Sequence, residues 1–212
     1  MTPAAPVVFV VDDDASVRRS LARLLASAGY SVEAFASARE FLEREPPAGP
    51  CCLLLDVRMP GLTGLDLQEA LTGAGRRVPI IFVTGHADVP MSVKAMKGGA
   101  VDLLAKPVDD AELLGTIRRA VAKAEQDLGA QARVAEIDRR VKTLTPRETE
   151  VFALVVTGML NKQIAFALGI SEKTVKVHRA RVMEKMRAGS LAELVRLADR
   201  AGVIVPDRPK VS

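Results

Sequence analysis

The sequence predicts an α/β protein: a five-stranded doubly wound parallel sheet, followed by a helical linker and an all-α helix-turn-helix domain. Three observations carry this. Short apolar runs at residues 7–11, 53–55 and 78–83 lack polar/apolar alternation, which suits strands buried on both faces of a parallel sheet. Segments with helical spacing of apolar residues fall between such runs, and strands alternating with helices imply double winding. From Thr145 onward helix caps recur at short intervals.

Residues 7–11 form a first buried strand ending in Asp12, Asp13 and Asp14. Residues 16–27 carry Val17, Leu21, Leu24 and Leu25 on one helical face, and Gly29 stops that helix. Residues 31–35 make the second strand. Ser37 followed by Glu40 is a capping box opening a short helix, which the loop EPPAGP closes. In the third strand, LLLDVRMP (53–60), three leucines run straight into Asp56. A helix at about 64–71, a strand at 78–83, a helix at about 89–97, a strand at 101–105 and a helix from Asp109 complete a domain of about 120 residues, near the usual domain size.

The last of these helices does not stop where a surface helix should. Leu114, Ile117, Val121, Ala124 and Leu128 keep heptad spacing, and Val134, Ile137, Val141 and Leu144 resume it about one residue out of phase after Gly129. That slip argues against a single unbroken coiled coil. Two readings stand: an amphipathic helix with a charged linker, or a paired helix carrying a signal between domains.

Thr145, Pro146 and Glu148 open the last domain with a capping box and Pro at the first helical position; Val151, Leu154 and Val155 form the inner face, and Gly158 ends the helix. Asn161 is expected to cap a short helix carrying Ile164, Ala165 and Leu168 and closed by Gly169. Ser171 caps another, to about Met186, and Ser190 a fourth, to Asp199. Two short helices joined by LGIS and flanked by two more outline a helix-turn-helix module. The expected division is 1–124, 125–143 and 144–212.

With 212 residues, 49% of them hydrophobic, the chain can bury a real core. No window approaches the roughly 18 apolar residues of a membrane span, and the N-terminal stretch has neither a basic leader nor a cleavage site, so a cytoplasmic protein is expected. Cys51 and Cys52 are adjacent, which strains a disulfide and matches no metal pair, so burial in the strand explains them. Residues 1–124 carry 14 Lys+Arg against 15 Asp+Glu, residues 125–144 carry 4 against 4, and residues 145–212 carry 12 against 7. An anionic partner is thus indicated for the C-terminal part alone. Aromatic content of 3% with no Trp argues against base stacking, leaving duplex nucleic acid.

Ligands of open α/β sheets sit beyond the carboxyl ends of the strands. Those ends here gather Asp12, Asp13, Asp56, Thr84 and Lys106. Two carboxylates from one strand end and one from another make a hard-oxygen site that favours Mg²⁺ over Zn²⁺. Beside them, the Lys106 ammonium offsets their charge and can hold a phosphoryl oxygen, while Thr84 offers a hydroxyl. The chemistry this suits is phosphoryl transfer, with Asp56 as the nucleophile forming an acyl phosphate. A lone strand-end Asp would more often cap a loop; its partners on the other strand ends are what shift the reading.

The acidic pair, DVRMPG, the Thr of VTGHADVP and the Lys-Pro of AKPV stand in the order found in the receiver domains of two-component response regulators, which the first 120 residues resemble. The resemblance implies a flavodoxin-like receiver in which Asp56 takes a phosphoryl group from the phospho-His of a sensor histidine kinase. Asp13, Asp56 and the backbone carbonyl of Arg58 would bind Mg²⁺, with Asp12 helping through water, and the Lys106 to Pro107 bond would be cis. It also implies no enzyme in the ordinary sense, only self-phosphorylation at Asp56 and slow autodephosphorylation. Haloacid dehalogenase-type phosphatases share the strand-end Asp but need a second Asp two residues on, where this chain has Arg58. One departure stands out: where receivers commonly carry Tyr or Phe as a rotamer switch coupled to the Thr, this chain has Leu103.

Lys173, Lys176, Arg179, Arg181, Lys185 and Arg187 fall in fifteen residues holding one acid, Glu184. On a helix, Val175, His178, Val182 and Met186 share the inner stripe, leaving Lys173, Lys176, Val177, Ala180 and Arg181 outward. Placed second in a helix-turn-helix, that face is a candidate for the major groove. Residues 144–187, with NKQIA, LGIS and TVKVH at the family spacing, resemble the LuxR-type DNA-binding domain, and the whole chain resembles FixJ/NarL response regulators, FixJ-like proteins nearest. The resemblance implies Lys176, Val177 and Ala180 toward base edges, Lys173, Arg179 and Arg181 at phosphates, and Thr174 within the same contact face. His178 reads as a packed histidine. The expected protein is a transcription factor that phosphorylation turns into a homodimer on promoter DNA. The rival is a phosphate-relay or protein-binding receiver whose basic module serves elsewhere.

Overall fold

The computed structural model describes residues 5–45, 47, 49–85 and 88–202. Parts of the EPPAGP loop and of VTGHADVP lie outside the described residues. The chain divides between Gly129 and Ala130 into two compact units.

In the first unit, β1 (Val7–Val11), β2 (Ser31–Phe35), β3 (Cys51–Leu55), β4 (Ile80–Thr84) and β5 (Asp102–Ala105) form one parallel sheet in the order β2-β1-β3-β4-β5. Helices cover both faces, which is why β3 and β4 read as unbroken apolar runs: every residue of each is buried, Cys51 and Cys52 included. Alternate residues serve opposite layers. Phe9, Leu53, Leu55 and Phe82 pack with α2 (Ala38–Glu43), α3 (Gly64–Gly73) and α4 (Val89–Lys97) through Phe41, Leu67 and Met91. Val8, Val10, Leu54 and Ile81 pack with α1 (Ala15–Ser27) and the first half of α5 (Asp110–Val141) through Leu25, Leu113 and Ile117.

Several boundaries move for local reasons. The ladder of β4 opens at Ile80, two residues later than the apolar run implies, because Pro79 has no N–H to donate and takes part only through its carbonyl, which accepts from Leu53 N at 2.9 Å. α1 opens at Ala15, capped by Asp14, whose carboxylate accepts from Ser16 N at 2.6 Å and Val17 N at 3.3 Å. α5 is one helix of 32 residues, continuous through Gly129. The phase slip in its heptads marks a change of core: Ile117, Val121 and Ala124 are buried in the first unit, Ile137 is buried in the second, and Leu128 and Val134 between them are exposed.

The second unit joins the end of α5 to α6 (Pro146–Val156), α7 (Asn161–Leu168), α8 (Glu172–Met186) and α9 (Leu191–Arg200). Val151, Phe152, Ile164, Val175, Val182, Met186 and Leu194 form its core. The capping box of Thr145 and Glu148 is present. Asn161, expected as a cap, is instead the first helical residue of α7. The cap is Leu160, whose N–H donates to the Gln163 side-chain oxygen at 2.8 Å. Gly169 adopts the left-handed conformation, φ 64°, that turns the chain from α7 toward α8.

One glycine is required by close packing. The Gly64 N–H donates to Val57 O at 3.0 Å, and a Cβ on Gly64 would lie 2.3 Å from the backbone oxygen of Asp56. Backbone cannot swing aside as a side chain can. Gly64→Ala is therefore expected to destabilise the first unit by about 1–3 kcal/mol, as overpacking does, and to displace the loop after β3; thermal unfolding and the amide chemical shifts of residues 56–60 check both.

Candidate functional site

The carboxyl ends of β1, β3, β4 and β5 bring the predicted rim residues together. Lys106 Nζ donates to Asp12 Oδ2 at 2.6 Å and to Asp56 Oδ1 at 3.3 Å, joining residues 94 and 50 positions away. Asp12 and Asp56 are buried, at 3% and 8% exposure, while Asp13 beside them is exposed. Thr84 is buried at the last position of β4, opposite Ala105, and its carbonyl accepts from Lys106 N at 2.8 Å. The Lys106–Pro107 bond is cis. The Arg58 N–H donates to Asp56 Oδ2 at 3.1 Å, so both Asp56 oxygens are engaged. Leu103, across from Phe82 in the ladder, is partly buried against the layer that contains Met91 and Ala95.

Burial pushes the Asp56 carboxyl above its ordinary value, against the charge and hydrogen bond of Lys106, and Asp12 adds to the rise. For Lys106, burial works against the ammonium, but the hydrogen bond and charge of Asp12, then of Asp56, outweigh it and hold its pKa above the usual lysine value. Lys106 faces two buried carboxylates, Asp12 and Asp56, with exposed Asp13 beside them, so carboxylates outnumber the lysine ammonium at these strand ends. Among the described residues no three carboxylate, His or Cys side chains are grouped closely enough to hold a metal as they stand. Lys106 lies between Asp12 and Asp56 and donates to both. The donor set nevertheless suits a hard divalent cation, because the oxygens are carboxylates.

Sequence reasoning placed Asp12 and Asp13 at the rim, gave Asp14 no role beyond the strand-end cluster and did not single out Arg18. Asp14 is exposed and spent on the α1 cap, and the Ser16 and Val17 amides hold its carboxyl below the usual range. Arg18 Nη1 donates to the backbone oxygen of Asp12 at 2.6 Å, pinning the turn that carries the acidic pair. Its place one turn into a helix that begins at the rim was the available signal.

In the second unit, Lys173, Lys176, Val177, Ala180 and Arg181 are exposed on one side of α8. Thr174 and Arg179 are half-buried and engaged within the unit: the Thr174 hydroxyl lies 2.8 Å from that of Ser171, and Arg179 Nη1 donates to Asn161 Oδ1 at 3.1 Å. His178 is half-buried rather than fully enclosed, and its buried Nδ1 has no hydrogen-bond partner among the described residues. Glu148, buried on α6, accepts from Lys185 Nζ at 2.6 Å and from Thr145 N at 2.8 Å; those bonds, Lys185's first, lower its pKa to about 2.

A doubly wound sheet with an acidic rim and a separate helix-turn-helix unit narrows the comparison to proteins that combine the two. Residues 8–118 match the response regulator receiver domain, and residues 142–198 match the luxR family of bacterial regulatory proteins. The chain is a response regulator of the FixJ type. Nodulation protein W of Bradyrhizobium diazoefficiens is 51% identical over 93% of the chain and 87% of its own length. The transcriptional regulatory protein FixJ of Azorhizobium caulinodans is 47% identical over 97% of both. Among solved structures, the response regulator StyR matches with TM-score 0.84 and 46% identity over 93% of this chain and all of its own. Full-length FixJ from B. japonicum matches with TM-score 0.57 and 45% identity over 96% of this chain and all of its own. The receiver fold and the LuxR-type DNA-binding domain follow from these matches, as does a role in regulating transcription; such relatives are not enzymes in the usual sense. No described helix is long and apolar enough to cross a membrane.

The receiver rim yields a pH-dependent prediction. A carboxyl whose pKa rises on folding disfavours the fold where it is ionised, above its folded pKa, and the penalty fades as pH falls through that value. Asp56→Asn should therefore raise the receiver's melting temperature at neutral pH, and the gain over wild type should shrink as pH falls through the folded-state pKa toward the ordinary carboxylate value; scanning calorimetry across that range measures it.

Proposed function

We propose that this response regulator is switched by phosphorylation of Asp56 and acts as a dimer on promoter DNA. The carrying observation is the rim itself, a buried carboxylate at a strand end held by Lys106 beside a second buried carboxylate, with more negative charge than the rim's own cation offsets. In this reading Asp56 accepts the phosphoryl group from a sensor histidine kinase and forms an acyl phosphate, Lys106 stays paired with the transferring oxygens, and the Thr84 hydroxyl closes on them. Asp13, Asp56 and the Arg58 carbonyl are the residues to hold Mg²⁺, with Asp12 assisting through water. When bound, the cation supplies positive charge opposite the phosphoryl oxygens.

The reading divides the chain into a receiver at 1–124, a helical linker at 125–143 and a DNA-binding domain at 144–212, working in the cytoplasm. Phosphorylation is read out by the surface at 91–97 and 101–105. Val89, Val93 and Met96 support this, since they are exposed on one face of α4 at helical spacing, an apolar stripe suited to a second receiver. With Leu103 in place of an aromatic switch, the change at Thr84 passes through α4 and its loops. Pairing brings two α8 helices to two half-sites, α9 helps pair them, and the second contact gains from being intramolecular. Lys176, Val177 and Ala180 face base edges, and Lys173, Thr174, Arg179 and Arg181 serve the backbone.

Footprinting with and without a small-molecule phosphodonor tests this reading. Protection of a specific duplex should strengthen on phosphorylation, Asp56→Asn should block both the acid-labile label and the gain, and chelating Mg²⁺ should suppress labelling. No protected duplex under either condition would leave the relay reading standing instead. Lys173→Ala should weaken specific and random duplexes about equally and flatten the salt slope by about one unit; a loss confined to the specific duplex would make Lys173 a base reader.

A further inference from the structure

The match to the luxR family begins at residue 142. In this chain the contacts that fix the end of α8 begin earlier, on α5. Ile137 of α5 is buried in the core of the second unit, with Val141 and Leu144 packed against it. From the same stripe, Arg140 Nη1 donates to the backbone oxygen of Met186, the last residue of α8, at 3.1 Å. In return Lys185, on the last turn of α8, donates through Nζ to the backbone oxygen of Thr143, just beyond the end of α5, at 2.9 Å. Each helix thus sends a cation to a backbone carbonyl at or beyond the other's C-terminal end, where the backbone carbonyls lack intrahelical partners and the helix dipole favours positive charge. Arg187, which ends α8, sits at φ 52°, a conformation that non-glycine residues seldom hold without support from their surroundings.

We infer that residues 136–143 are a working part of the DNA-binding domain, and that Arg140 and Lys185 are positioning residues for duplex recognition. They touch no base or phosphate in this reading; they set the tilt and register of the helix that does. A change imposed on α5 then enters the domain at the end of α8 that these bonds hold. The inference rests on duplex binding by α8, and the experiment separates the two: if the wild-type chain binds no duplex, that reading fails first.

Arg140 carries the test, because its other partner, Glu136, is only half-buried and keeps Arg139 as a second cation, whereas Lys185 also neutralises buried Glu148. The full chain is measured against a short duplex that wild type selects from a random pool and against an unselected one. Arg140→Ala is expected to weaken the selected duplex about three- to tenfold and the unselected one less, with the salt slope and the thermal midpoint of the domain unchanged; Arg140→Lys, which keeps one donor for Met186 O, should recover most of the loss. Unchanged affinity would overturn the inference. So would a slope reduced by about one unit, which marks a phosphate contact, or equal losses on both duplexes together with a lowered midpoint, which marks a merely structural role.

Discussion

One ammonium between two buried carboxylates is the constraint on which the receiver is arranged. Lys106 reaches Asp12 and Asp56 only because parallel strands end side by side, and the sheet order β2-β1-β3-β4-β5 sets β1, β3 and β4 consecutively with β5 next to them. Asp56 is desolvated more than its cation repays, so its pKa rises, while Lys106, paired with two acids, keeps its proton. A rim left short of positive charge is poised to gain from any ligand that brings it. Packing holds the same strand end from below, where Gly64 sits so close that a Cβ on it would lie 2.3 Å from the Asp56 backbone oxygen.

The rim and the sheet were legible in the sequence for the same reason. Strands buried on both faces show as unbroken apolar runs, and each such run that ends in a polar residue points at the carboxyl edge. What stayed hidden was how chemically identical groups divide their roles. Asp12, Asp13 and Asp14 are alike as letters, yet one is buried on Lys106, one is exposed and one caps α1. Asn161 looked like a cap because Asn often is one, but the helix opens a residue earlier and Asn161 instead accepts from Arg179 across the turn. A basic face read from spacing alone could not show that Arg179 already had a partner.

α5 shows how a periodicity can be read correctly and still mislead about continuity. The slip after Gly129 is real, but it does not interrupt the helix; it rotates the buried stripe so that successive turns serve successive cores. Gly129 has no side chain and Ala130 only a methyl group, too little apolar surface to commit the turn to either. The absence of an aromatic at position 103 reads in similar terms: Leu103 fills its place in the layer beneath α4, so the packing is complete although the side chain lacks a ring to swing.

The central strand also settles the behaviour of the thiols. Cys51 and Cys52 point to opposite layers of the sheet, are buried, and have pKa values pushed up by burial to about 11 and about 12. At neutral pH both are protonated and shielded, which makes them poor nucleophiles. While the receiver is folded the pair is expected to react far more slowly with maleimides and disulfide reagents than a surface thiol, so a probe can be placed at a new surface cysteine without removing the native pair. Conversely, reaction at the native pair becomes a clock for the opening of β3.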